Sequence, residues 1–134
     1  MINAHYLDSG SPFLETHNYC RKISTLGDEL DRFKAEKGYT HQDEVDSRLI
    51  PDLESKLAEF AKEHYHSDDE VRVFKEGNGC FDLRDSDGRW IRFHLYPDDM
   101  IIIPANVPHR FIPNGPFVVI RLFTELFKWT ARYV

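Results

Sequence analysis

From Glu70 onward the chain alternates short apolar-rich runs with tight turns, and this rhythm constrains the fold more than any other feature. Candidate strands cover 70–76, 80–85, 89–95, 100–103, 109–112 and 117–123. Between them lie Gly77-Asn78-Gly79, Ser86-Asp87-Gly88, Tyr96-Pro97-Asp98-Asp99 and Pro113-Asn114-Gly115-Pro116. Glycine and asparagine tolerate positive φ there, and proline fixes its own φ, so each of these segments is a turn with a physical cause. Short strands joined in this way predict a small antiparallel barrel or sandwich.

The segment before Glu70 has a different period. Thr25 reads as the cap of a helix whose apolar residues are Leu26, Leu30 and Phe33, with Gly38 as its stop. Thr40 and Asp43 repeat the cap signal for a short helix reaching to about Ser47. Pro51 opens a third helix, with Leu53, Leu57, Phe60 and Ala61 on one face. The expected organisation is one domain over 1–134, with a mostly helical part, 1–62, packed on a β-barrel core, 63–134. A chain of 134 residues can enclose one core but not two. Ten Phe, six Tyr and two Trp supply bulky side chains to fill it.

Charge and composition remove several classes of function. The net charge is −6, and Lys and Arg are interspersed among the acids with no basic stripe, which argues against a nucleic-acid partner. The longest apolar runs, 100–103 and 117–120, are too short to span a bilayer. The first six residues carry no basic stretch followed by an apolar one, so no secretory signal is visible. Two cysteines, Cys20 and Cys80, are too few for a disulfide framework and suit a reducing compartment. The expected setting is the cytoplasm, extending to the nucleus in a eukaryote.

The chemistry gathers in Glu63-His64-Tyr65-His66-Ser67-Asp68-Asp69-Glu70, answered far downstream by His109. On extended backbone His64 and His66 point the same way and Tyr65 points away. Ser67, Asp68 and Asp69 make a polar bend before Glu70 opens the next strand, and His109 follows the turn-rich Pro104-Ala105-Asn106-Val107-Pro108. Three imidazoles and one carboxylate are the donor set of a first-row transition metal. The remaining histidines His5, His17, His41 and His94 read as ordinary surface or core residues. Asp68, Asp69, Asp98 and Asp99 read as solvated turn residues, and Cys80 as a strand residue without a redox role.

This pattern on a small antiparallel barrel resembles the cupins, and more narrowly the acireductone dioxygenase family. The resemblance is carried by 63–72, by Gly79-Cys80-Phe81-Asp82-Leu83-Arg84-Asp85, by Arg89-Trp90-Ile91-Arg92 and Asp99-Met100, and by Pro104-Ala105-Asn106-Val107-Pro108-His109-Arg110-Phe111. It resumes at Arg121-Leu122-Phe123 and Trp129-Thr130-Ala131 and is densest from about Lys56 onward. Asp98 and Asn106 stand where cupins often carry glycine, and both residue types tolerate left-handed backbone. The sequence resembles a short member without the C-terminal tail usual in relatives.

The resemblance implies a mainly β fold, a single cupin (double-stranded β-helix) barrel with N-terminal helices. It implies one Fe(II) or Ni(II) per chain, held by His64, His66, Glu70 and His109, with two positions of an octahedral ion left for substrate. The implied reaction cleaves acireductone with dioxygen to formate and the keto-acid precursor of methionine, in methionine salvage; nickel-loaded relatives release carbon monoxide instead. Arg72 and Arg121 match the family's arginines near the bound anion, and Phe60, Phe111 and Trp129 match its apolar pocket. The expected partners are the small-molecule substrate and dioxygen, with no nucleic acid, no membrane and a monomeric chain. Beside these stand plainer readings: Arg72 as a structural partner of Glu70 or Asp82, Arg121 as a bridge to a surface acid, the aromatics as core. The rival functions are a cupin acting on another substrate and an impaired homologue that retains metal as a binding protein.

Overall fold

In the computed structural model, residues 2–124 and the short strand Arg132–Tyr133 are described. Strand β1 (Asn3–Tyr6) and β2 (Cys20–Lys22) precede helix α1 (Glu29–Lys37). Strand β3 (His41–Asp46) and helix α2 (Leu53–Phe60) follow, and then β4 (His64–Tyr65) and β5 (Glu70–Glu76). The remaining strands are β6 (Gly79–Arg84), β7 (Trp90–Leu95), β8 (Asp99–Ile103), β9 (His109–Pro113), β10 (Val118–Phe123) and β11 (Arg132–Tyr133). They pair antiparallel into two sheets, ordered β1-β7-β6-β9-β4-β11 and β2-β8-β5-β10-β3. The fold is mainly β, a cupin-type pair of facing sheets, and every strand expected from Glu70 onward is present within a residue or so of its expected bounds.

Alternation explains how the two sheets build their cores. Phe74, Phe81, Leu83, Phe93, Phe111 and Val119 point between the sheets and form one buried cluster. Val71, Val73, Ile120 and Leu122, the intervening residues of β5 and β10, point the other way and pack with Leu30 and Phe33 of α1. Strand β5 is thus buried on both faces, with Val71, Val73 and Phe74 fully excluded from solvent. Fully burying each such side chain contributes roughly 1.5–3 kcal/mol.

The N-terminal part departs from its expected helical character. The segment expected to form a helix from Thr40 to about Ser47 is strand β3, paired with β10 from Val118↔Asp46 to Phe123↔His41. Its only aliphatic residue is Val45, so a helix there would have had no apolar stripe to bury, whereas an edge strand satisfies its backbone through β10. Strands β1 and β2 also lie in this part and extend one edge of each sheet.

Helix α1 begins at Glu29, behind Asp28, rather than from a Thr25 cap. The Thr25 backbone N–H and hydroxyl instead donate to the Asp98 carboxylate at 3.2 and 3.0 Å. Leu26, expected on the buried face, is 81% exposed, and Ala61 is exposed after the end of α2. Gly38 does end α1 in the left-handed conformation, φ 77°.

Asp98 and Asn106 adopt the positive φ expected of them, 70° and 65°. Two of the acids expected to be solvated, Asp98 and Asp99, are at least partly buried instead, and Asp69, exposed as expected, also makes a tertiary contact. Asp98 receives Thr25; Asp69 accepts from Ala105 N–H at 2.7 Å; Asp99 is buried, accepting from Tyr96 N–H at 2.8 Å and pairing with Lys22. Each fastens a turn to a distant segment, a use that turn composition does not reveal. The β5–β6 turn is seated against the β9–β10 turn closely enough that a Cβ on Gly77 would lie 2.2 Å from the Pro116 carbonyl oxygen.

Candidate metal centre

The centre lies where the two sheets meet at one end. His64 on β4 and His109 on β9 are register partners in the first sheet. His66 follows β4, its carbonyl accepting from Asn106 N–H at 2.7 Å, and Glu70 is the first residue of β5 in the second sheet. The sequence segments 63–70 and 104–109 therefore converge although about forty residues separate them.

One ring nitrogen from each of His64, His66 and His109 lies within 4.8 Å of the others. Glu70 Oε1 approaches His66 Nε2 at 2.5 Å and His109 Nε2 at 3.2 Å. His66, Glu70 and His109 are buried, and His64 is half-buried.

The imidazoles are oriented by their own chain. His64 Nδ1 meets the Lys62 carbonyl at 2.7 Å, and His109 Nδ1 meets the Val107 carbonyl at 2.8 Å. A carbonyl only accepts, so in each ring Nδ1 carries the proton and Nε2 keeps its lone pair. Burial drives the His109 imidazole down to about 4, against the Val107 hydrogen bond and with help from the Arg72 charge. Burial likewise lowers His64, again opposed by its backbone carbonyl and assisted by His109 and Arg72. Both rings are therefore neutral near pH 7, the form in which imidazole ligates metal.

Two buried atoms, Glu70 Oε1 and His109 Nε2, make no hydrogen bond, although uncompensated burial of such groups costs about 1–3 kcal/mol each. A divalent cation among them would satisfy both. The donor set of three imidazoles and a carboxylate thus fits a transition metal in chemistry and in convergence.

Beside these donors is a cavity of about 110 Å³. Arg72 and Arg121, register partners on β5 and β10, both line it. Arg72 is buried, with Nη2 3.3 Å from Glu70 Oε2 and Nη1 donating to the Val71 carbonyl at 3.0 Å. Burial and the neighbouring Arg121 charge lower it to about 9, with Asp43 opposing. Asp82 is not its partner: that buried carboxylate is held on the outer side of the first sheet by Arg92 and Arg110. Arg121 is joined to Asp43 on β3, Nε to Oδ1 at 2.7 Å and Nη2 to Oδ2.

Phe60 at the end of α2 and Phe111 on β9 also line the cavity, ring centroids 5.9 Å apart. Trp129 lies outside the described residues. Sequence reasoning passed over Val45, Phe81, Phe117 and Val119, which complete the wall. Parity offered a signal for one of them: Val119 shares a strand face with Arg121. Phe81 is the register partner of Phe111 and stacks on it at 4.6 Å.

Comparison with known proteins decides the family. The model of the ARD/ARD' family matches residues 8–131. The chain belongs to that family. Among ARD/ARD' relatives, acireductone dioxygenase of Candida albicans (strain WO-1) is 41% identical over 82% of this chain and 67% of its own length. Acireductone dioxygenase of Heterostelium pallidum is 41% identical over 96% of this chain and 94% of its own. A solved structure of acireductone dioxygenase from Bacillus anthracis, with a cadmium ion in its active centre, superposes with a TM-score of 0.83 at 25% identity. That match covers 99% of this chain and 98% of the other. The ARD/ARD' assignment and the three convergent histidines together support a metal-ion site. Among the described residues no helix is long and apolar enough to cross a membrane.

Proposed function

We propose that the chain is an acireductone dioxygenase of methionine salvage, cleaving acireductone with dioxygen to formate and the keto-acid precursor of methionine. His64, His66, Glu70 and His109 would hold one Fe(II) per chain, or Ni(II), which is proposed to give the carbon monoxide-releasing reaction. The reading is carried by one observation: the unsatisfied Glu70 Oε1 and His109 Nε2 converge in a buried site directly beside a cavity holding two guanidinium groups. Bound there, the ion would supply Lewis acidity toward an anionic oxygen-donor substrate.

The rest of the work falls to the chain. Arg72, buried and charged at pH 7, counters the enediolate's negative charge where water is excluded and the attraction is strongest. Its contact with Glu70 sets the guanidinium against the donor cluster, so anion and metal are addressed from adjoining sides. Arg121 adds a second cationic wall. Phe60 and Phe111 receive the methylthio tail, and Phe81, Phe117 and Val119 keep that end dry. We place this monomeric enzyme in the cytoplasm, extending to the nucleus in a eukaryote, with no nucleic-acid partner.

The test is to load the purified protein separately with Fe(II) and Ni(II), supply synthetic acireductone under air and identify the products. Formate with the keto acid from the iron form, and carbon monoxide from the nickel form, is the expected result. Stoichiometric metal without consumption of acireductone would overturn the reading.

A further inference from the structure

Three neighbouring strands of the second sheet set a carboxylate and two guanidinium groups in one row. Asp43 on β3 is the register partner of Arg121 on β10, which is in turn the register partner of Arg72 on β5. Residues opposite one another on adjacent strands share a face, so the row runs along the inner side of the sheet toward Glu70. Its two inner members line the cavity, and Asp43 stands behind them, outside the cavity wall.

The Asp43–Arg121 contact is bidentate, through Nε and Nη2 on one edge of the guanidinium. A two-point fork fixes both the position and the plane of the group, as a single hydrogen bond cannot. Arg121 carries this contact at the end of a long, rotatable side chain that is 26% exposed, so without the fork several rotamers reach solvent. Asp43 is 40% exposed, and a pair this accessible contributes little to global stability. The geometry serves orientation better than it serves folding.

We propose that Asp43 is a positioning residue that sets the plane of the Arg121 guanidinium and thereby the affinity of the cavity for a small chelating anion. The proposal rests on the reading of the cavity as an anion site beside a metal. It assigns no contact between Asp43 and substrate. It follows that most of the effect of Asp43 passes through Arg121.

The experiment compares wild type, Asp43→Asn, Arg121→Gln and the double variant, each loaded with Ni(II), in two measurements. One is the dissociation constant for oxalate, a redox-inert bidentate anion, by titration calorimetry; the other is steady-state turnover of acireductone. Asn keeps the volume of Asp but loses the charge and one acceptor. Asp43→Asn is expected to weaken oxalate about five- to tenfold and to raise KM by a similar factor, with a smaller change in kcat. Nickel content and melting temperature should stay at their wild-type values. In the Arg121→Gln background the same substitution should have a much smaller effect on both constants, because the fork is gone and only the weaker charge coupling of Asp43 to Arg72 remains.

Unchanged oxalate affinity in Asp43→Asn, an undiminished effect in the Arg121→Gln background, or a wild type that does not bind oxalate would each overturn the proposal. Loss of nickel or a lowered melting temperature in Asp43→Asn would do so too, by making Asp43 a folding residue. A wild type that binds oxalate with the expected coupling but does not consume acireductone would retire the substrate reading and leave the role of Asp43 standing.

Discussion

The two faces of the second sheet are made of alternate residues of the same strands and do opposite things. On β5 and β10 the outward set, Val71, Val73, Ile120 and Leu122, is aliphatic and closes against α1. The inward set near the donor end, Glu70, Arg72 and Arg121, is charged and lines the cavity. A charged row in a sheet interior is costly in isolation. It is tolerated here because the opposite face of each strand is anchored by a dry core. The anchoring face can therefore be weakened without touching the chemistry, and the charged face altered without unfolding the protein.

Four expected outcomes bear on this division. The largest concerns the donors. His109→Ala should lower metal affinity by more than the roughly hundredfold that losing a supporting hydrogen bond costs a metal site. Elemental analysis after dialysis should find the variant nearly empty, as it should His66→Ala. Full metal occupancy in both would break the assignment of the inner face.

Next is the outer face. Leu122 is fully buried under α1, and Leu122→Ala should destabilise the protein by about 3 kcal/mol in denaturant unfolding. Its folded fraction should keep one metal per chain and an unchanged KM. A shift in KM would show that the two faces are coupled.

Arg72→Lys keeps the charge and loses the planar fork. Turnover should fall on the order of a hundredfold while metal content and unfolding midpoint hold. A variant that unfolds at wild-type turnover per folded molecule would move Arg72 to the structural side.

The last outcome concerns pH and the metal-free protein. Folding holds the His109 imidazole near 4, below its ordinary value of 6.5. Between these limits the unfolded chain takes up a proton that the folded chain refuses, so stability is greatest above about 6.5 and falls as pH drops toward 4. The slope approaches 1.4 kcal/mol per pH unit for a single group. Unfolding curves of the metal-free protein at several pH values should show it, and His109→Gln should flatten it. An equal slope in that variant would place the acid sensitivity elsewhere.

The legibility of the chain followed the range of the interaction responsible. His64, His66 and Glu70 were readable because a two-residue period and one bend decide where they point, and the turns between strands were readable because φ is a local matter. Asp98 and Asn106 belong to the same class, since their left-handed backbone is a property of single residues. Strand β3 was not readable: 41–46 holds charged and amide residues with one valine, and only pairing with β10 makes it a strand. The Asp43–Arg121 fork joins residues 78 apart in sequence and exists only in one register, so no local pattern announces it. Thr25 looked like a cap because its neighbours fit one, and a carboxylate 73 residues away claimed it instead.

One local feature has consequences for assembly of the protein. His64 and His109 are each held by a carbonyl two residues earlier, so each ring takes its aim from its own three-residue segment. Bringing the two rings together then depends on the alignment of His64 opposite His109. A slip of one residue would turn one imidazole to the wrong side of the sheet and dissolve the donor set. Metal uptake during refolding is then a gauge of strand alignment: an ion captured at full stoichiometry certifies that two segments far apart in the chain have found each other in the correct frame.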